Sequence, residues 1–218
     1  MKKQKNFDYT PYCNGTYFMG PSVIRLLDEA NLPRKKGMRI LDLGCGKGLS
    51  SLYLAKEYDV TVFAADLWIS PTENYEFFRS LGMEEQIFPI YADANALPFA
   101  EGFFDAVISV DAYHYFGTEA GFFSEKILPL LKPDGFAALI FPGWKAPLPT
   151  PVPQELLLSW TEEDLTTFQP IQWWKKLFEQ EEYTRLLSIA ELSCVDEAWA
   201  DWLATDNPYA IGDRPSLE

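Results

Sequence analysis

Residues 40–48, with the sequence ILDLGCGKG, decide the fold because they join a short apolar strand to a turn rich in glycine. Glycine allows the backbone to bend sharply at the carboxyl end of a strand and lets a ligand approach the main chain. Leu49, Leu52 and Tyr53 follow with helical spacing. The stretch therefore predicts a strand, a ligand-binding turn and a helix in direct succession.

The spacing of the glycines restricts the ligand. Gly44, Gly46 and Gly48 form a G-x-G-x-G pattern, not the G-x-G-x-x-G pattern of dinucleotide sites, so a pyrophosphate is disfavoured. Asp42 at the lip of the strand can pair with a cationic group, and the N-terminus of the next helix favours a carboxylate. The loop suits an amino-acid zwitterion, although packing alone also produces glycine turns of this kind.

The composition favours a single domain spanning residues 1–218. The formal net charge of −14 repels phosphate backbones and anionic membranes, so we expect neither nucleic acid nor a membrane as a partner. No apolar run approaches the roughly 20 residues of a transmembrane helix, and the first residues, MKKQKNFDYT, lack the apolar core of a secretory signal. These features predict a cytoplasmic protein.

The cysteines and the single histidine argue against a metal site and against a disulfide framework. Cys13, Cys45 and Cys194 are an odd number of cysteines and show no C-x-x-C spacing. One histidine cannot build a multi-histidine metal centre. Cys45 lies in the glycine turn, where its small side chain is expected to pack rather than react. We therefore predict reduced cysteines and no metal.

Strands and helices alternate through residue 141. The expected elements are a helix containing Val23, Leu26, Leu27 and Ala30, strands at 59–66, 86–91, 104–110 and 136–141, helices at 72–81 and 121–131, and a turn at 132–135. This order predicts an α/β fold, a doubly wound, mostly parallel Rossmann-like sheet with helices on both faces. Asp42, Asp66, Asp93 and Asp111 each close or follow one of the first four strands, which gathers carboxylates at one edge of the sheet.

The sequence beyond residue 142 departs from the alternation and is rich in proline and tryptophan. We divide the single domain into an N-terminal aromatic segment and helix at 1–38, a cofactor-binding core at 39–142 and a lid or substrate-recognition insertion at 143–190. The insertion is too short to build a separate core. One more strand is expected near 192–195, and the rest looks helical and then irregular.

Three motifs in this order resemble the class I S-adenosylmethionine-dependent methyltransferases. They are LDLGCGKG at 41–48, ADANALPFAEGFFDAVISVDAYHYF at 92–116 and LLKPDGFAALI at 130–140. The middle motif is most similar to small-molecule methyltransferases, including those related to sarcosine and dimethylglycine methylation. The resemblance covers residues 39–142. It implies methyl transfer from S-adenosylmethionine to an amine, carboxylate or hydroxyl, with S-adenosylhomocysteine as the product.

The same resemblance assigns residues to the methionyl end of the cofactor. It places Asp42, Gly44, Cys45 and Gly46 around the methionine part. Asp111, which follows the fourth strand, would face the methionyl end and the methyl group.

Further residues are assigned by the resemblance to the adenosine end. Asp66 would accept hydrogen bonds from the ribose hydroxyls, and Leu67 and Trp68 would cover the adenine. Asp93 would bind the exocyclic amine, and Ala94 would offer its backbone N–H. The alternative for Asp66 and Asp93 is ordinary capping of the next helix, and Trp68 could equally be edge packing.

Candidate catalytic residues follow the fourth strand in the sequence DAYHYF. His114 could act as a general base for an acceptor that must lose a proton, or it could only line the pocket. Tyr113 and Tyr115 flank it and could orient the acceptor. Aromatic residues outside the motifs could wall the acceptor pocket and make cation–π contacts, or form a buried lid; they are Tyr9, Tyr12, Tyr17, Phe18, Trp144, Trp160, Trp173 and Trp174.

Two rival functions and one structural departure stay open. A catalytically silent S-adenosylmethionine-binding module would keep the cofactor contacts, and a nicotinamide-dependent oxidoreductase would share the sheet type but want the other glycine spacing. Class I sheets usually close with an antiparallel hairpin whose last strand is not evident here. A degenerate hairpin, a shortened chain or a partner, such as a second copy in a homodimer, would account for that edge.

Overall fold

The computed structural model of the chain describes residues 5–33 and 35–217, so residues 1–4, Arg34 and Glu218 of the expected 1–218 domain lie outside the described residues. The helices are α1 Val23–Ala30, α2 Leu49–Tyr58, α3 Pro71–Ser80, α4 Glu162–Thr167, α5 Ile171–Glu179, α6 Val195–Leu203 and α7 Pro208–Leu217. The strands are β1 Arg39–Leu43, β2 Thr61–Asp66, β3 Ile87–Tyr91, β4 Phe104–Val110 and β5 Leu131–Ile140. None of the helices in the described ranges is long and apolar enough to cross a lipid bilayer.

The strands form one parallel sheet in the order β3-β2-β1-β4-β5. The chain runs outward from β1 to β3 and then returns to place β4 on the other side of β1. Leu41 of β1 pairs with Phe63 of β2 and with Val107 of β4. The predicted doubly wound α/β fold is therefore confirmed, and the change of direction lies beside β1, where such sheets bind their ligands.

Each face of the sheet carries its own apolar core, because neighbouring residues of a strand point to opposite sides. Ile40 belongs to a cluster that includes Leu27 of α1, Leu52 of α2 and Trp202 of α6. Leu41 belongs to a second cluster on the other face, which includes Tyr113, Phe123, Ile127, Trp174 and Leu177. Covering helices on both sides explain why all residues of β1 and β4 except Arg39 and Asp105 are buried.

The helix expected at 121–131 is replaced by two short irregular segments. A π-helix covers Phe123–Ile127, and a 3-10 helix covers Leu128–Leu130. Pro129 has no backbone N–H to donate and cannot sit inside a regular α-helix without disturbing it. The predicted apolar face nevertheless packs as expected, with Phe123 and Ile127 buried.

The expected strand at 136–141 is longer than predicted, because β5 begins at Leu131 and absorbs the turn at 132–135. Leu131 pairs with Phe104, and Phe136 pairs with Ala106, so extra residues of β5 bulge away from β4. Asp134 in this bulge has a left-handed φ of 63°. Turn-type residues here produce a bulge within one strand rather than a turn before it.

The strand expected at 192–195 is wrong. The backbone N–H groups of Ser193 and Cys194 donate to the Glu29 carboxylate of α1 at 2.5 and 2.8 Å, and α6 starts at Val195. A carboxylate that takes these donors leaves none for a sheet ladder. Within the described residues no strand follows β5, so the closing hairpin of class I sheets is absent from residues 141–217.

We predict that Gly48→Ala destabilises the protein more than Gly82→Ala does. Both glycines have left-handed φ values, of 80° and 63°, so either alanine costs about 1–2 kcal/mol of backbone strain. A Cβ on Gly48 would also lie 2.5 Å from the ring of buried Phe78, whereas nothing lies within 4 Å of one on Gly82. The overpacking should bring the loss for Gly48→Ala to about 3 kcal/mol in urea unfolding. Equal losses for the two variants would contradict the packing seen at Gly48.

Candidate functional site

The turn after β1, called the glycine loop (residues 44–48), lies at the carboxyl edge of the sheet beside the end of β2. The N–H groups of Gly44 and Cys45 donate to the carbonyl of Ala65 at 2.8 and 3.1 Å. Gly44 and Gly46 have left-handed φ values of 76° and 52°. Since side chains strongly disfavour this conformation, both positions favour glycine.

Two close approaches bring distant segments to this loop. A Cβ on Gly44 would lie 2.2 Å from Cβ of Ala112, which follows β4. A Cβ on Gly20 would lie 1.8 Å from Oδ2 of Asp111. The glycine loop, the end of β4 and the N-terminal segment therefore meet at one place, and neither glycine could carry a side chain there without displacing its neighbour.

Asp42 does not lie at the lip of the strand as the sequence suggested. Its side chain is fully buried beneath the glycine loop, where Oδ2 accepts hydrogen bonds from Ser50 and Ser51 at 2.7 and 2.5 Å. Burial raises the pKa of Asp42 to about 6, while the two serine hydroxyls act in the opposite direction. Oδ1 is buried and accepts no hydrogen bond from the described residues. Asp42 thus holds the start of α2 through Oδ2, while Oδ1 stays available to accept a hydrogen bond.

Asp66 at the end of β2 joins two turns. Its Oδ2 accepts the N–H of Gly46 at 2.8 Å, and its Oδ1 accepts the N–H groups of Trp68 and Ile69, both at 2.8 Å. A carboxylate offers about four acceptor positions, so one remains on Oδ2. Asp66 therefore holds the turn after β2 and does not cap the next helix, whose N-cap is Ser70. It still has capacity for a hydroxyl donor.

Two polar groups that lack hydrogen-bond partners lie just after β3 on the same edge of the sheet. Asp93 is exposed, and its Oδ1 accepts both the backbone and the side-chain N–H of Asn95. Its Oδ2 and the buried N–H of Ala94 make no hydrogen bond within the described part of the chain. An acceptor and a donor are therefore free side by side.

An exposed pair of rings adjoins these groups. Trp68 is 70% exposed and Tyr115 is 48% exposed, although both are large and apolar, and their ring centroids lie 5.4 Å apart. Leu67 beside Trp68 is 42% exposed. Exposed apolar surface next to free polar groups is typical of a ligand site.

Asp111 follows β4 directly and takes a left-handed φ of 57°. Its backbone N–H donates to Ile140 at 2.7 Å, which holds the residue to β5. The carboxylate is half-buried and accepts no hydrogen bond from any described residue. Burial, followed by the charge of Asp213, raises the pKa of Asp111 to about 8. A strained, unpartnered acid at the edge of the sheet is a candidate functional position.

His114 and Tyr113 are both buried within aromatic surroundings. His114 is 0% exposed, and neither ring nitrogen has a hydrogen-bond partner among the described residues. Its burial lowers the pKa of His114 to about 3, so the imidazole is neutral at pH 7. The Tyr113 ring stacks on Phe141 at 5.8 Å and meets Trp174 at 6.1 Å. Tyr113 therefore packs between the sheet edge and α5.

The N-terminal aromatic residues pack on helices. Tyr9 contacts the ring of Tyr53 in α2 at 5.5 Å, and Tyr17 contacts Phe77 in α3 at 4.7 Å. The residues of this segment that reach the site are small or flexible: Gly20 lies against Asp111, and a Cβ on Gly46 would lie 3.2 Å from Cγ of Met19.

The tryptophans of residues 143–190 divide into two groups. Trp174 is buried in the core against Phe141, with ring centroids 4.5 Å apart. Trp144 and Trp160 pack edge-on against Phe168, each at 5.8 Å, and the Phe168 ring lies 5.2 Å from His114. The second group therefore covers the segment that follows β4.

Sequence reasoning missed Met19, Gly20 and Asp213. Gly20 is required where Oδ2 of Asp111 lies against it, and the charge of Asp213 contributes to the raised pKa of Asp111. No local pattern marks these residues, since each gains its role from a contact with a residue far away in sequence. Alignment with related sequences is the signal that could have found them.

A known protein family matches the part of the chain that forms the carboxyl edge of the sheet. Residues 41–139 match a family model described as "Methyltransferase domain". The matched range starts in β1, includes the glycine loop, Asp66, Asp93 and Asp111, and ends in β5.

Curated relatives match a similar stretch and differ in what they are named for. The chain is 32% identical over 117 residues to ajmaline N-methyltransferase of Rauvolfia serpentina. This match covers 49% of this chain and 39% of that protein. It is 33% identical over 134 residues to 2-methyl-6-phytyl-1,4-hydroquinone methyltransferase of Synechocystis. This match covers 57% of this chain and 41% of that protein. The chain thus spans about two fifths of the length of these relatives.

Among solved structures, YjhP from E. coli shares the fold over most of both chains. The TM-score is 0.60 at 22% identity, and the match covers 87% of this chain and 80% of that one. At this level of identity the similarity concerns the fold.

We predict that His114→Phe reduces the loss of stability at acid pH. A histidine whose folded pKa lies near 3 and whose unfolded pKa is near 6.5 destabilises the protein as the pH falls below 6.5, by about 2 kcal/mol at pH 5. Phenylalanine places an aromatic ring at the same position among Tyr115, Phe141 and Phe168 and cannot bind a proton. Urea unfolding at pH 7.5 and at pH 5 measures the free energy of unfolding of the wild type and of His114→Phe.

Asp42 acts with the opposite sign, because its folded pKa is raised, but it is present in both proteins and cancels in the comparison. If wild type and His114→Phe lose the same stability between the two pH values, the neutral buried state of His114 is contradicted.

Proposed function

We propose that this chain, whose residues 41–139 match the methyltransferase domain family, is a class I S-adenosylmethionine-dependent methyltransferase that transfers a methyl group to a small-molecule acceptor by direct in-line displacement. The observation that carries the proposal is the row of free polar groups along the carboxyl edge of the sheet. It runs from Asp66, which lies against the glycine loop, to Asp93 and Ala94, and the exposed ring pair of Trp68 and Tyr115 lies beside it.

The residues of this edge fit the cofactor. The free acceptor position on Asp66 suits a ribose hydroxyl, and the exposed face of Trp68 suits a flat base. Asp93 and the N–H of Ala94 offer the acceptor and the donor that an adenine edge requires. The glycine loop would hold the methionyl part, with Gly44, Cys45 and Gly46 supplying main chain and Asp42 supporting them from below.

Cys45 contributes to this site through its backbone and its small size. Its side chain is buried against Asn74, whose Nδ2 lies 3.6 Å from Sγ. Burial raises the pKa of the Cys45 thiol well above its ordinary value, so the reactive thiolate is disfavoured. The same Asn74 amide donates to the carbonyl of Gly46 at 2.9 Å and steadies the loop.

The chain's part in the reaction is positioning and exclusion of water. S-adenosylmethionine, when bound, supplies a methyl group already activated on a sulfonium sulfur. Residues 143–190 would then act as a lid, because Trp144 and Trp160 cover the segment after β4 through Phe168. His114 and Tyr113 would line the inner wall of the acceptor pocket, with His114 in its neutral form.

The acceptor is an amine, a carboxylate or a hydroxyl of a small molecule. The two curated relatives are named for N-methylation of ajmaline and for methylation of 2-methyl-6-phytyl-1,4-hydroquinone, so their names do not select one acceptor chemistry for this chain. Acceptor choice would therefore depend on residues outside the matched range.

Calorimetry with S-adenosylmethionine, S-adenosylhomocysteine and NAD tests the cofactor. We expect both sulfur compounds to bind and NAD not to bind; binding of NAD alone would overturn the proposal. Incubation with a panel of amines, phenols and carboxylates then tests the transfer. Cofactor binding without any methylated product across the panel would favour a silent binding module.

We predict that Asp93→Ala weakens S-adenosylmethionine binding without destabilising the fold. The Asp93 side chain is exposed and its partner is only the neighbouring Asn95, so its loss should leave the melting temperature nearly unchanged. Losing a hydrogen bond to the ligand should raise the dissociation constant about tenfold. Glu101→Ala is the matched control, because Glu101 is an exposed acid of the same connection between β3 and β4. Similar affinities for both variants would remove Asp93 from the site.

A further inference from the structure

A short segment before α1, called the strap (residues 15–20), lies against the glycine loop. A Cβ on Gly46 would lie 3.2 Å from Cγ of Met19, and a Cβ on Gly20 would lie 1.8 Å from Oδ2 of Asp111. The strap therefore contacts both the turn after β1 and the residue that follows β4. A ligand bound by the glycine loop would have the strap as its neighbour.

Phe18 fixes the middle of the strap. It is 1% exposed and belongs to the apolar cluster that contains Leu52 of α2 and Trp202 of α6. Met19 beside it is half-buried, and its side chain is unbranched and flexible. Met19 can therefore change rotamer to admit a ligand at the glycine loop while Phe18 stays in the core.

Asn207 holds the strap from the C-terminal side of the fold. Its Nδ2 donates to the carbonyl of Gly15 at 2.8 Å and to that of Phe18 at 3.2 Å. Its Oδ1 accepts the N–H of Tyr209 in the first turn of α7 at 2.9 Å. Asn207 is 9% exposed, and no other described side chain donates a hydrogen bond to residues 15–20. One buried amide thus joins the start of α7 to the strap.

Gly15 makes this contact possible. A Cβ on Gly15 would lie 2.6 Å from Oδ1 of Asp206 and 2.8 Å from the backbone N of Asn207. Both separations are too short for a side chain, and the second involves main chain that cannot rotate away. The close approach of the strap to residues 206–207 therefore depends on glycine at position 15.

The ends of the chain are also joined by contacts outside the strap. The N–H of Ser22 donates to the carbonyl of Ala198 at 3.0 Å, and Arg25 forms an ion pair with Asp201 at 2.5 Å. These contacts hold α1 on α6 and do not involve residues 15–20. The position of the strap is therefore separable from the stability of the fold.

We propose that Asn207 is a positioning residue of the cofactor site, because it holds the strap closed over the methionyl end of S-adenosylmethionine. Asn207 acts through the carbonyls of Gly15 and Phe18. Without these two hydrogen bonds residues 15–20 would leave the glycine loop in part of the molecules, and only the closed fraction would bind the cofactor tightly. The inference rests on the proposed function and adds to the same site a residue from outside residues 41–139.

The variant Asn207→Asp tests the inference because it removes the donor and keeps the acceptor. A carboxylate cannot donate to the carbonyls of Gly15 and Phe18, but it still accepts the N–H of Tyr209. Calorimetry on the full chain at pH 7.5 measures the affinity for S-adenosylhomocysteine. We expect the dissociation constant to rise about tenfold, as it does when the closed fraction falls to about one tenth.

Asn14→Asp is the matched control for this change. The Nδ2 of Asn14 donates to the carbonyl of Pro11 at 2.8 Å, and its Oδ1 accepts the N–H of Thr16 at 2.9 Å. The same amide-to-carboxylate exchange there breaks no contact between the strap and α7. Asn14→Asp should therefore bind S-adenosylhomocysteine as the wild type does.

Gly15→Ala displaces the strap without altering Asn207 and without adding a charge. The new Cβ would collide with the backbone of Asn207, so we expect weaker binding of S-adenosylhomocysteine here as well. Gly212→Ala is the matched control, because a Cβ on Gly212 in α7 meets nothing within 4 Å. Its affinity should equal that of the wild type.

The dissociation rate of S-adenosylhomocysteine separates positioning from a purely structural role. A residue that only stabilised the fold would lower the melting temperature and leave the dissociation rate constant of the folded protein unchanged. We expect Asn207→Asp to raise this rate constant about tenfold and to keep the association rate constant within about twofold of the wild type. In the wild type, S-adenosylhomocysteine should slow amide hydrogen exchange in residues 15–20 at least about threefold.

The inference is overturned by unchanged affinity and dissociation rate in both Asn207→Asp and Gly15→Ala, or by unchanged hydrogen exchange of residues 15–20 when S-adenosylhomocysteine is added to the wild type. The exchange measurement decides alone where neither variant folds. Binding of S-adenosylhomocysteine to the wild type is measured first. Its absence would overturn the proposed function, whereas binding without any effect on residues 15–20 would leave that function intact and reject only the role of Asn207.

Discussion

The carboxylate of Asp66 fixes the carboxyl edge of the sheet, because it holds two turns at once. It accepts the N–H of Gly46 from the turn after β1 and the N–H groups of Trp68 and Ile69 from the turn after β2. Hydrogen bonds to an ionised acceptor are stronger than those between neutral groups. Parallel strands end side by side, so one acid at the end of β2 can position both the glycine loop and the exposed Trp68.

Three acids of this edge have different chemistry because their surroundings differ. Asp66 is surrounded by N–H donors and acts as a fixed acceptor. Asp42 is sealed beneath the loop, where burial raises its pKa to about 6 and two serines hold it. Asp111 has neither donors nor counter-ion, and burial together with Asp213 raises its pKa to about 8. The same residue type therefore supplies a link between two turns, a buried support for α2 and an acid without a partner.

The sequence predicted the sheet because strand burial depends on local pattern, and β1 to β4 lie within two residues of the expected positions. Its errors arise where one side chain overrules the pattern. Glu29 takes the donors of Ser193 and Cys194 and prevents a strand, Pro129 interrupts the helix expected at 121–131, and the bulge at Asp134 hides a turn inside β5. None of these effects can be read from periodicity, since each depends on a single contact or a missing donor.

The two halves of the candidate site differ in how they are specified. The proposed cofactor half lies on consecutive strand ends, where glycine spacing and regularly placed acids mark its candidate residues in the sequence. The surroundings of Asp111 include Gly20, which reaches it only through tertiary packing and lies outside residues 41–139. Relatives named for ajmaline and for 2-methyl-6-phytyl-1,4-hydroquinone match this chain over similar stretches, so we propose that a shared core is combined with different flanking segments. Acceptor specificity is therefore expected to change through the flanking segments while the row of acids along the sheet stays in place.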